Sequence, residues 1–252
     1  MYPYSPDQYV AQVIQRYTPF STAALSFGQI TPFLTQWAGN QLSRIFISGS
    51  NAKGTAVRGG TDLDIFISLK SSISQDLGEI YESLYQLALR QGWLPIKQNV
   101  AIGIQYLGSK IDLVPGRIQA GYQNYHSLYK NKTGTWTQTN VDLQIATVKN
   151  SQRINEIKAI KIWRNLHNLE FPSFYLELVV IEALKYRQTT TLSQNVLEAL
   201  RYIAENILIS RIVDPGKTSN VISEDLTSAE KSALSFAAAN SIRAANWSQI
   251  IW

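Results

Sequence analysis

The sequence of 252 residues contains no cysteine, which excludes disulfide bonds, zinc–thiolate sites and thiol nucleophiles. It has only two histidines, His126 and His167, so carboxylates are the main available metal ligands. No apolar run approaches the roughly 18 residues that span a bilayer, and the first residues lack the basic and apolar regions of a signal peptide. We therefore expect a cytoplasmic protein that does not enter a membrane.

Charged residues are also sparse, at 16% of the chain, and 23 Lys and Arg against 18 Asp and Glu give a formal net charge of +5. A positive excess of this size suits a phosphate-bearing ligand but is small for a protein that binds long nucleic acid. The hydrophobic fraction of 45% is that of a globular protein with one large or two small domains.

The first half of the chain mixes helical and β patterns. We predict two N-terminal helices, the first capped by Asp7, followed by short β-rich runs at 44–48 and 62–69. A helix over 79–90 and two strands joined at Gly108-Ser109 come next. These elements predict a mixed sheet with flanking helices.

The second half is predicted to be helical. The polar segment 116–140, rich in Tyr, Asn and Thr, is predicted to be a loop. After it, apolar residues recur every three positions along one helix: Ile154, Ile157, Ile160, Trp163 and Leu166. A last helix is predicted to begin with a capping box at Thr227. The expected fold class is α+β, with one lobe over 1–145, a helical lobe over 146–252 and a cleft between them.

A glycine and a hydroxyl follow the first β-rich run, at Gly49 and Ser50. Glycine allows backbone amides to approach a phosphate, and the serine hydroxyl adds a donor. Further on, Asp62 and Asp64 are two residues apart on a strand, so their side chains point to the same face. Asp112 lies alone within an apolar strand, where a carboxylate needs a partner. This combination predicts a phosphate and metal site.

Three carboxylates in this pattern favour a hard divalent cation. Two carboxylates on one strand face repel each other unless a cation lies between them, and Mg²⁺ prefers one or two carboxylates together with substrate phosphates. If Asp112 lies on the neighbouring strand, Asp62, Asp64 and Asp112 would hold two metal ions for phosphoryl transfer. We expect Mg²⁺, with Mn²⁺ as the alternative. A lone Asp-x-Asp is usually a surface turn, so the prediction depends on all the features together.

These motifs resemble a known superfamily. Gly49-Ser50, Asp62-x-Asp64 and Asp112 resemble the DNA polymerase β-type nucleotidyltransferases, and 49–55 with 61–65 resemble the branch of archaeal-type CCA-adding enzymes, oligoadenylate synthetases and cyclic GMP–AMP synthase. Thr61 stands where a serine is common. Later segments resemble bacterial CD-NTases, the cyclases of anti-phage signalling: Trp136, 160–163, 172–177 and 213–215. The resemblance extends from about residue 40 to the end.

The resemblance implies a bilobal nucleotidyltransferase fold with an active-site cleft. Asp62, Asp64 and Asp112 would hold two Mg²⁺ ions, and Asp112 would also accept the proton of the attacking hydroxyl. Gly49 and Ser50 would bind the triphosphate through the backbone and the hydroxyl.

The resemblance also implies nucleotide contacts in the helical lobe. Lys161 and Ser173 match positions that contact phosphates, and Phe174 matches a position whose ring stacks on a base. From the sequence alone, a solvated basic face explains Lys158 and Lys161 better, and the resemblance favours the phosphate role for Lys161 but not for Lys158. Phe174 fits a helix core as well as a stacking role. Lys53 is a candidate phosphate contact that is as well explained by solvation.

The implied activity is Mg²⁺-dependent joining of nucleoside triphosphates, with release of pyrophosphate. ATP and GTP are the expected substrates, with pyrimidine triphosphates still open. The product would be a cyclic or short linear oligonucleotide messenger that activates a downstream effector, as in anti-phage defence. The alternatives are an RNA 3′-end-tailing nucleotidyltransferase, a non-catalytic nucleotide-binding module on the same fold, and transfer of a nucleotide to a protein or small molecule.

Overall fold

The computed structural model describes residues 5–19, 23–59, 62–187 and 191–252. Within these ranges seven strands form one sheet: β1 (Leu42–Ile47), β2 (Leu63–Leu69), β3 (Ile96–Lys97), β4 (Ile102–Tyr106), β5 (Ser109–Gln119), β6 (Tyr122–Lys130) and β7 (Thr135–Thr139). The order is β1-β2-β5-β4-β3, with β6 paired to β5 and β7 to β6. Only the β2–β5 pair is parallel among these pairings, so the sheet is mixed as predicted.

The same ranges contain nine α-helices: α1 (Pro6–Tyr17), α2 (Ala23–Ala38), α3 (Gly49–Lys53), α4 (Leu77–Arg90), α5 (Val141–Asn150), α6 (Ile154–Leu166), α7 (Ser173–Ala183), α8 (Leu192–Asn206) and α9 (Ser228–Ile242). In this part of the chain no helix combines the length and the apolar character that crossing a bilayer requires. Most strands lie in the middle of the chain, and the described part after residue 140 is mainly helical.

Two apolar cores stabilise the chain. One lies between the sheet and helices α2 and α4, and Ile65 and Ile67 of β2 are fully buried in it. The other surrounds α6, whose Trp163 is fully buried and donates its indole N–H to Ser241 Oγ at 2.9 Å. The apolar face of α1 belongs to this helical core, although the sequence analysis grouped α1 with the first lobe. The lobe boundary near residue 145 stays a prediction.

The start of α1 differs from the prediction that Asp7 caps it. Ser5 is the cap: its hydroxyl accepts from Gln8 N, and the Gln8 side chain accepts from Ser5 N in return. Pro6 then suits the first helical position, where no N–H is needed. Asp7 instead accepts a hydrogen bond from Ser193 N at 2.7 Å, which ties α1 to the start of α8.

The predicted loop over 116–140 was wrong, because this segment completes β5 and forms the β6–β7 hairpin. Tight turns occur at Gly121 and Gly134, whose φ angles of +81° and +65° favour glycine. Between them His126 and Leu128 alternate inward on β6 and are buried. The segment looked like a loop because its other residues are polar, yet a strand with one solvated face needs few apolar residues.

Two helices begin at or near their predicted positions. Thr227 and Glu230 form the capping box of α9, as expected. Helix α4 begins at Leu77, slightly before the predicted 79, and Asp76 with Glu79 caps it. Gly60 and Thr61, which belong to the motif quoted above, lie outside the described residues.

Tyr81 of α4 fixes the connection between β3 and β4. Its hydroxyl lies 2.9 Å from Gln98 O and 2.8 Å from Ala101 O, while its ring is buried. We predict that Tyr81→Phe lowers the free energy of unfolding by about 1–2 kcal/mol, because buried carbonyls lose their donor. Tyr122→Phe, at an exposed position, should change it by less than about 0.5 kcal/mol. Urea unfolding of both variants measures this; equal effects would contradict the role of the hydroxyl.

Candidate active site

Two of the predicted metal ligands face each other on adjacent strands. Strands β2 and β5 are parallel, and Asp64 of β2 pairs in register with Asp112 of β5. Asp62 precedes β2 by one residue and is exposed, whereas Asp64 and Asp112 are half-buried. Asp112 therefore lies on the strand beside Asp64, as expected, whereas Asp62 lies just before that strand and not on it as predicted.

Asp112 has a hydrogen-bond donor that the sequence analysis missed. Gln98 Nε2 donates to Asp112 Oδ1 at 2.8 Å. The residue opposite Asp112 on β4 is Gly103, and a Cβ there would lie 2.7 Å from Gln98 Nε2. Gly103 thus leaves room for the amide that orients Asp112. No local pattern identified Gln98, because it directly follows β3 and reaches Asp112 only through the pairing of β3 with β4 and of β4 with β5.

Gly49 lies directly against Asp64. Its φ of +57° favours glycine, and a Cβ at this position would come within 1.8 Å of Asp64 Oδ2. The backbone on either side of Gly49 holds this contact in place. Before it, Ser48 N donates to Asp64 O at 2.8 Å, and helix α3 begins at Gly49 itself. The Gly49-Ser50 turn and the carboxylate strand therefore share one site, as the spacing of the motifs predicted.

Burial, together with neighbouring carboxylates, raises the pKa of Asp64 and of Asp112. Burial, and after it the charge of Asp112, raises the pKa of Asp64 to about 6, while the charge of Lys53 acts in the opposite direction. Burial and the charge of Asp62 raise the pKa of Asp112, although the hydrogen bond from Gln98 opposes the shift. The half-buried pair therefore favours a cation that would offset its charge.

The donor set fits Mg²⁺, because neighbouring carboxylate oxygens in a polar environment are the ligands that this ion prefers. Asp64 and Asp112 are in register for one ion, and Asp62 is close enough for its charge to affect both. In the described ranges, however, no three acidic or histidine side chains are already gathered closely enough to hold a metal. The three-carboxylate, two-ion site stays a prediction.

A buried ionic cluster lies beside the carboxylates. Lys53 Nζ lies 2.8 Å from Glu177 Oε2, and Lys161 Nζ lies 2.6 Å from Glu177 Oε1. Thr55 Oγ1 donates to Glu177 Oε1 at 2.6 Å and lies 3.0 Å from Lys161 Nζ. The charges of both lysines oppose the rise in the pKa of Asp64, so the cluster lies close enough to act on this carboxylate. Neither lysine is a solvated surface residue, which excludes that alternative for both.

Glu177 and Thr55 were not singled out in the sequence. Glu177 lies within an otherwise apolar part of α7, between Leu176 and Leu178, and it is fully buried. A carboxylate in an apolar helix needs a partner for the same reason as Asp112 in its strand. The apolar neighbours of Glu177 in the sequence are therefore a signal of a buried, paired carboxylate, like those of Asp112.

The other predicted nucleotide contacts lie at the start of α7. Phe174 is half-buried, and Lys53 Nζ lies 4.3 Å from the centre of its ring. Ser173 Oγ accepts from Arg164 Nη1 at 3.1 Å. Lys158, in contrast, lies apart, with Nζ 3.5 Å from Thr18 Oγ1. The nucleotide-binding roles of Lys53, Lys161, Ser173 and Phe174 stay predictions.

Comparison with known proteins places this arrangement in a structural class. No protein-family profile matches the chain. The chain is similar to the cyclic AMP-AMP-AMP synthase of Escherichia coli (strain MS 115-1), with 26% identity over 164 residues, 57% of this chain and 50% of that relative. It thus spans about half the length of the curated relative that it matches.

Solved structures extend the similarity over almost the whole chain. The E. coli MS115-1 CdnC structure with ATP matches with a TM-score of 0.75 at 21% identity, covering 97% of this chain and 94% of that chain. The Bradyrhizobium diazoefficiens CD-NTase CdnG, in complex with GTP, matches with a TM-score of 0.79 at 13% identity, covering 94% and 90%. The Cid1 poly(U) polymerase has a TM-score of 0.68 at 11% identity, covering 94% and 93%.

The fold is that of the DNA polymerase β-type nucleotidyltransferases, which confirms the predicted α+β fold class. Within that class, the predicted resemblance to the CD-NTase branch is confirmed by the relative found from the sequence and by the structural neighbours CdnC and CdnG. The fold is also shared with the Cid1 poly(U) polymerase, so the fold alone does not separate a cyclic oligonucleotide synthase from a polymerase.

The contact between Gly49 and Asp64 can be tested by substitution. We predict that Gly49→Ala lowers the free energy of unfolding by at least about 2 kcal/mol, because it combines left-handed backbone strain with a clash that must move the Asp64 carboxylate. Gly54→Ala is the matched control: its φ is +77°, but its Cβ would meet nothing closer than 4.0 Å. It should cost only about 1 kcal/mol. Equal losses in urea unfolding would argue against the close approach.

The raised pKa of Asp64 predicts proton competition with the metal. Above about pH 6 Asp64 is ionised, and below it a proton must leave before a cation binds. We predict that Mn²⁺ affinity, measured by calorimetry, falls about tenfold per pH unit below pH 6 and is nearly constant from pH 7 to 8. A profile that is flat from pH 5 to 8 would contradict this assignment.

Proposed function

We propose that the protein is a Mg²⁺-dependent nucleotidyltransferase that joins nucleoside triphosphates into a cyclic or short linear oligonucleotide and releases pyrophosphate. The observation that carries the proposal is the register of Asp64 with Asp112 against the Gly49 turn. This geometry combines a carboxylate pair for cations with a glycine and a hydroxyl for phosphates. The similarity to the cyclic AMP-AMP-AMP synthase supports the same reaction class.

The residues of this chain would divide the reaction between them. Two bound Mg²⁺ ions would neutralise the developing charge on the attacking and leaving oxygens of the α-phosphoryl transfer. Asp112, held through Oδ1 by Gln98, keeps its second oxygen available to accept the proton of the attacking hydroxyl. The backbone at Gly49 and the hydroxyl of Ser50 would bind the triphosphate.

Residues of the helical half, together with Lys53 of α3, would hold the phosphates and the base. The ammonium groups of Lys53 and Lys161 form a cationic pair beside Asp64, which suits the phosphates of the donor nucleotide. Ser173 would add a contact to these phosphates. The ring of Phe174 would stack on a base, which tolerates purines and pyrimidines alike.

ATP and GTP are the proposed substrates, with pyrimidine triphosphates as further candidates. Solved neighbours were obtained with ATP and with GTP, which supports purine nucleotides. The product would be a messenger that activates a nucleotide-gated effector in the cytoplasm, in the manner of anti-phage signalling. This biological role depends on the resemblance to CD-NTases and not on the site geometry.

RNA 3′-end tailing is the second candidate, because the fold is also that of the Cid1 poly(U) polymerase. The two activities differ in the acceptor: tailing requires an RNA primer, whereas messenger synthesis requires only nucleoside triphosphates. The net charge of +5 is modest for a polynucleotide-binding surface and favours the smaller substrate. Incubation with and without RNA separates them.

The proposed chemistry predicts the effect of removing either paired carboxylate. Asp64→Asn and Asp112→Asn should each lower product formation from mixed nucleoside triphosphates and Mg²⁺ at least about 100-fold. Asparagine keeps the shape of the aspartate side chain but removes the charge that binds the metal. Glu205→Gln removes an exposed carboxylate far from this constellation in sequence and should leave the rate within about twofold. Chromatography and mass spectrometry of phosphatase-treated reactions give the readout.

Wild-type protein that yields no product from any nucleotide mixture, with or without an activating ligand, would refute the proposal. Elongation of RNA in the same assay would assign the tailing activity instead. Unchanged product formation by both aspartate variants would exclude their proposed catalytic role.

A further inference from the structure

Glu177 is the most completely buried ionised group of the described residues near the site. Its side chain has no solvent exposure, and that of Lys161 is 2% exposed. Its two oxygens receive three hydrogen bonds, from Lys53, Thr55 and Lys161. A carboxylate held in this way cannot turn out into water, so it is a fixed part of the site.

The contacts of Glu177 cross between the two halves of the chain. Lys53 is the last residue of α3, beside the sheet, and Thr55 follows two residues later. Lys161 lies on α6 and Glu177 on α7. Each oxygen of one carboxylate faces one ammonium group. The carboxylate therefore sets the distance between two cations that would repel each other without it.

We propose that Glu177 is a positioning residue: its carboxylate is the shared counterion that holds the ammonium groups of Lys53 and Lys161 side by side and charged, so that together they receive the phosphates of a nucleoside triphosphate. This inference rests on the proposed function for the identity of the ligand. The ionic cluster itself is a property of the protein without ligand.

The charge balance supports this role over the alternative that Glu177 competes with a phosphate for the two lysines. Two ammonium groups and one carboxylate leave a net charge of +1 in a buried cluster next to Asp64. The hydrogen bonds described above use two N–H donors of Lys161 and one of Lys53, so both ammonium groups keep capacity for a phosphate oxygen. Because Glu177 is fixed, phosphates would join the cluster without replacing its carboxylate.

The protonation states agree with the geometry. Burial acts to raise the pKa of Glu177, but the charges of Lys161 and Lys53 outweigh it and hold the pKa below its ordinary value. Burial lowers the pKa of Lys161, and Glu177 opposes that shift. The charged groups that face the cluster are Lys53 on α3, Asp64 on β2, and Lys161 and Arg164 on α6.

Loss of the carboxylate would then show as a pH dependence. In Glu177→Gln, burial and the charge of Lys53 should lower the pKa of Lys161 further in the folded protein, because the opposing carboxylate is gone, while the unfolded chain keeps ordinary values. A depressed lysine pKa in the folded state means that the fold loses stability as pH falls. The deficit in Tm relative to wild type should therefore be largest at pH 6 and shrink by about half or more at pH 9.

The matched control is Glu156→Gln. Glu156 is also buried on α6, but it contacts the guanidinium of Arg153 and the amide of Asn195 and no lysine pair. Its Tm deficit should be the same from pH 6 to pH 9. Glu177→Asp keeps the charge and should restore a profile close to that of wild type.

The second readout is binding of inorganic tripolyphosphate by calorimetry. Comparison with wild type at each pH cancels the titration of the ligand itself. The affinity of Glu177→Gln relative to wild type should fall at least about fivefold from pH 6 to pH 9, because Lys161 without its counterion loses its proton, whereas Glu156→Gln should keep a constant ratio. These measurements need no catalysis, so they are separate from a failure of wild type to form product.

A Tm deficit of Glu177→Gln that is as independent of pH as that of Glu156→Gln would overturn the inference, as would a constant tripolyphosphate ratio. If Glu177→Gln does not fold at pH 6, Glu177→Gln combined with Lys161→Met should fold, because one of the two repelling charges is gone. Failure of both variants to fold at every pH from 6 to 9 would also contradict the counterion role.

Discussion

The register between two parallel strands is the constraint on which the site depends. Pairing β2 with β5 puts Asp64 beside Asp112 in a half-buried position, and burial raises the pKa of both carboxyl groups. Gly49 has no side chain, so the turn after β1 can press against the same carboxylate. A slip of one residue in this pairing would turn one aspartate to the opposite face of the sheet and remove the carboxylate pair.

The opposite charge is supplied by the helical part of the chain. Lys161 comes from α6 and is held with Lys53 by one buried glutamate, within reach of Asp64. A buried ion cluster is weak support for stability, because desolvation offsets much of the attraction. Its position between the halves of the chain, next to the carboxylates, makes a role in binding phosphate the better explanation.

Local patterns in the sequence predicted the parts of the site that are contiguous or that alternate along a strand. Gly49, Asp64 and Asp112 could be found in this way, because an embedded aspartate and a glycine after a β-run are visible without a fold. Gln98 could not, because it follows β3 and comes to Asp112 only when β3 pairs with β4 and β4 with β5. The β6–β7 hairpin was missed because its solvated face is polar. The packing of α1 in the helical core was not predicted, because its partners lie more than a hundred residues away in the sequence.

The most direct test of the central claim is a crystal structure with Mn²⁺ and a non-hydrolysable ATP analogue, measured at the manganese absorption edge. The account predicts two anomalous peaks about 3.5–4 Å apart, in contact with carboxylate oxygens of Asp62, Asp64 and Asp112. It also predicts the triphosphate between the Gly49 turn and the pair formed by Lys53 and Lys161. Manganese bound elsewhere, or a nucleotide bound without manganese at these three carboxylates, would contradict it.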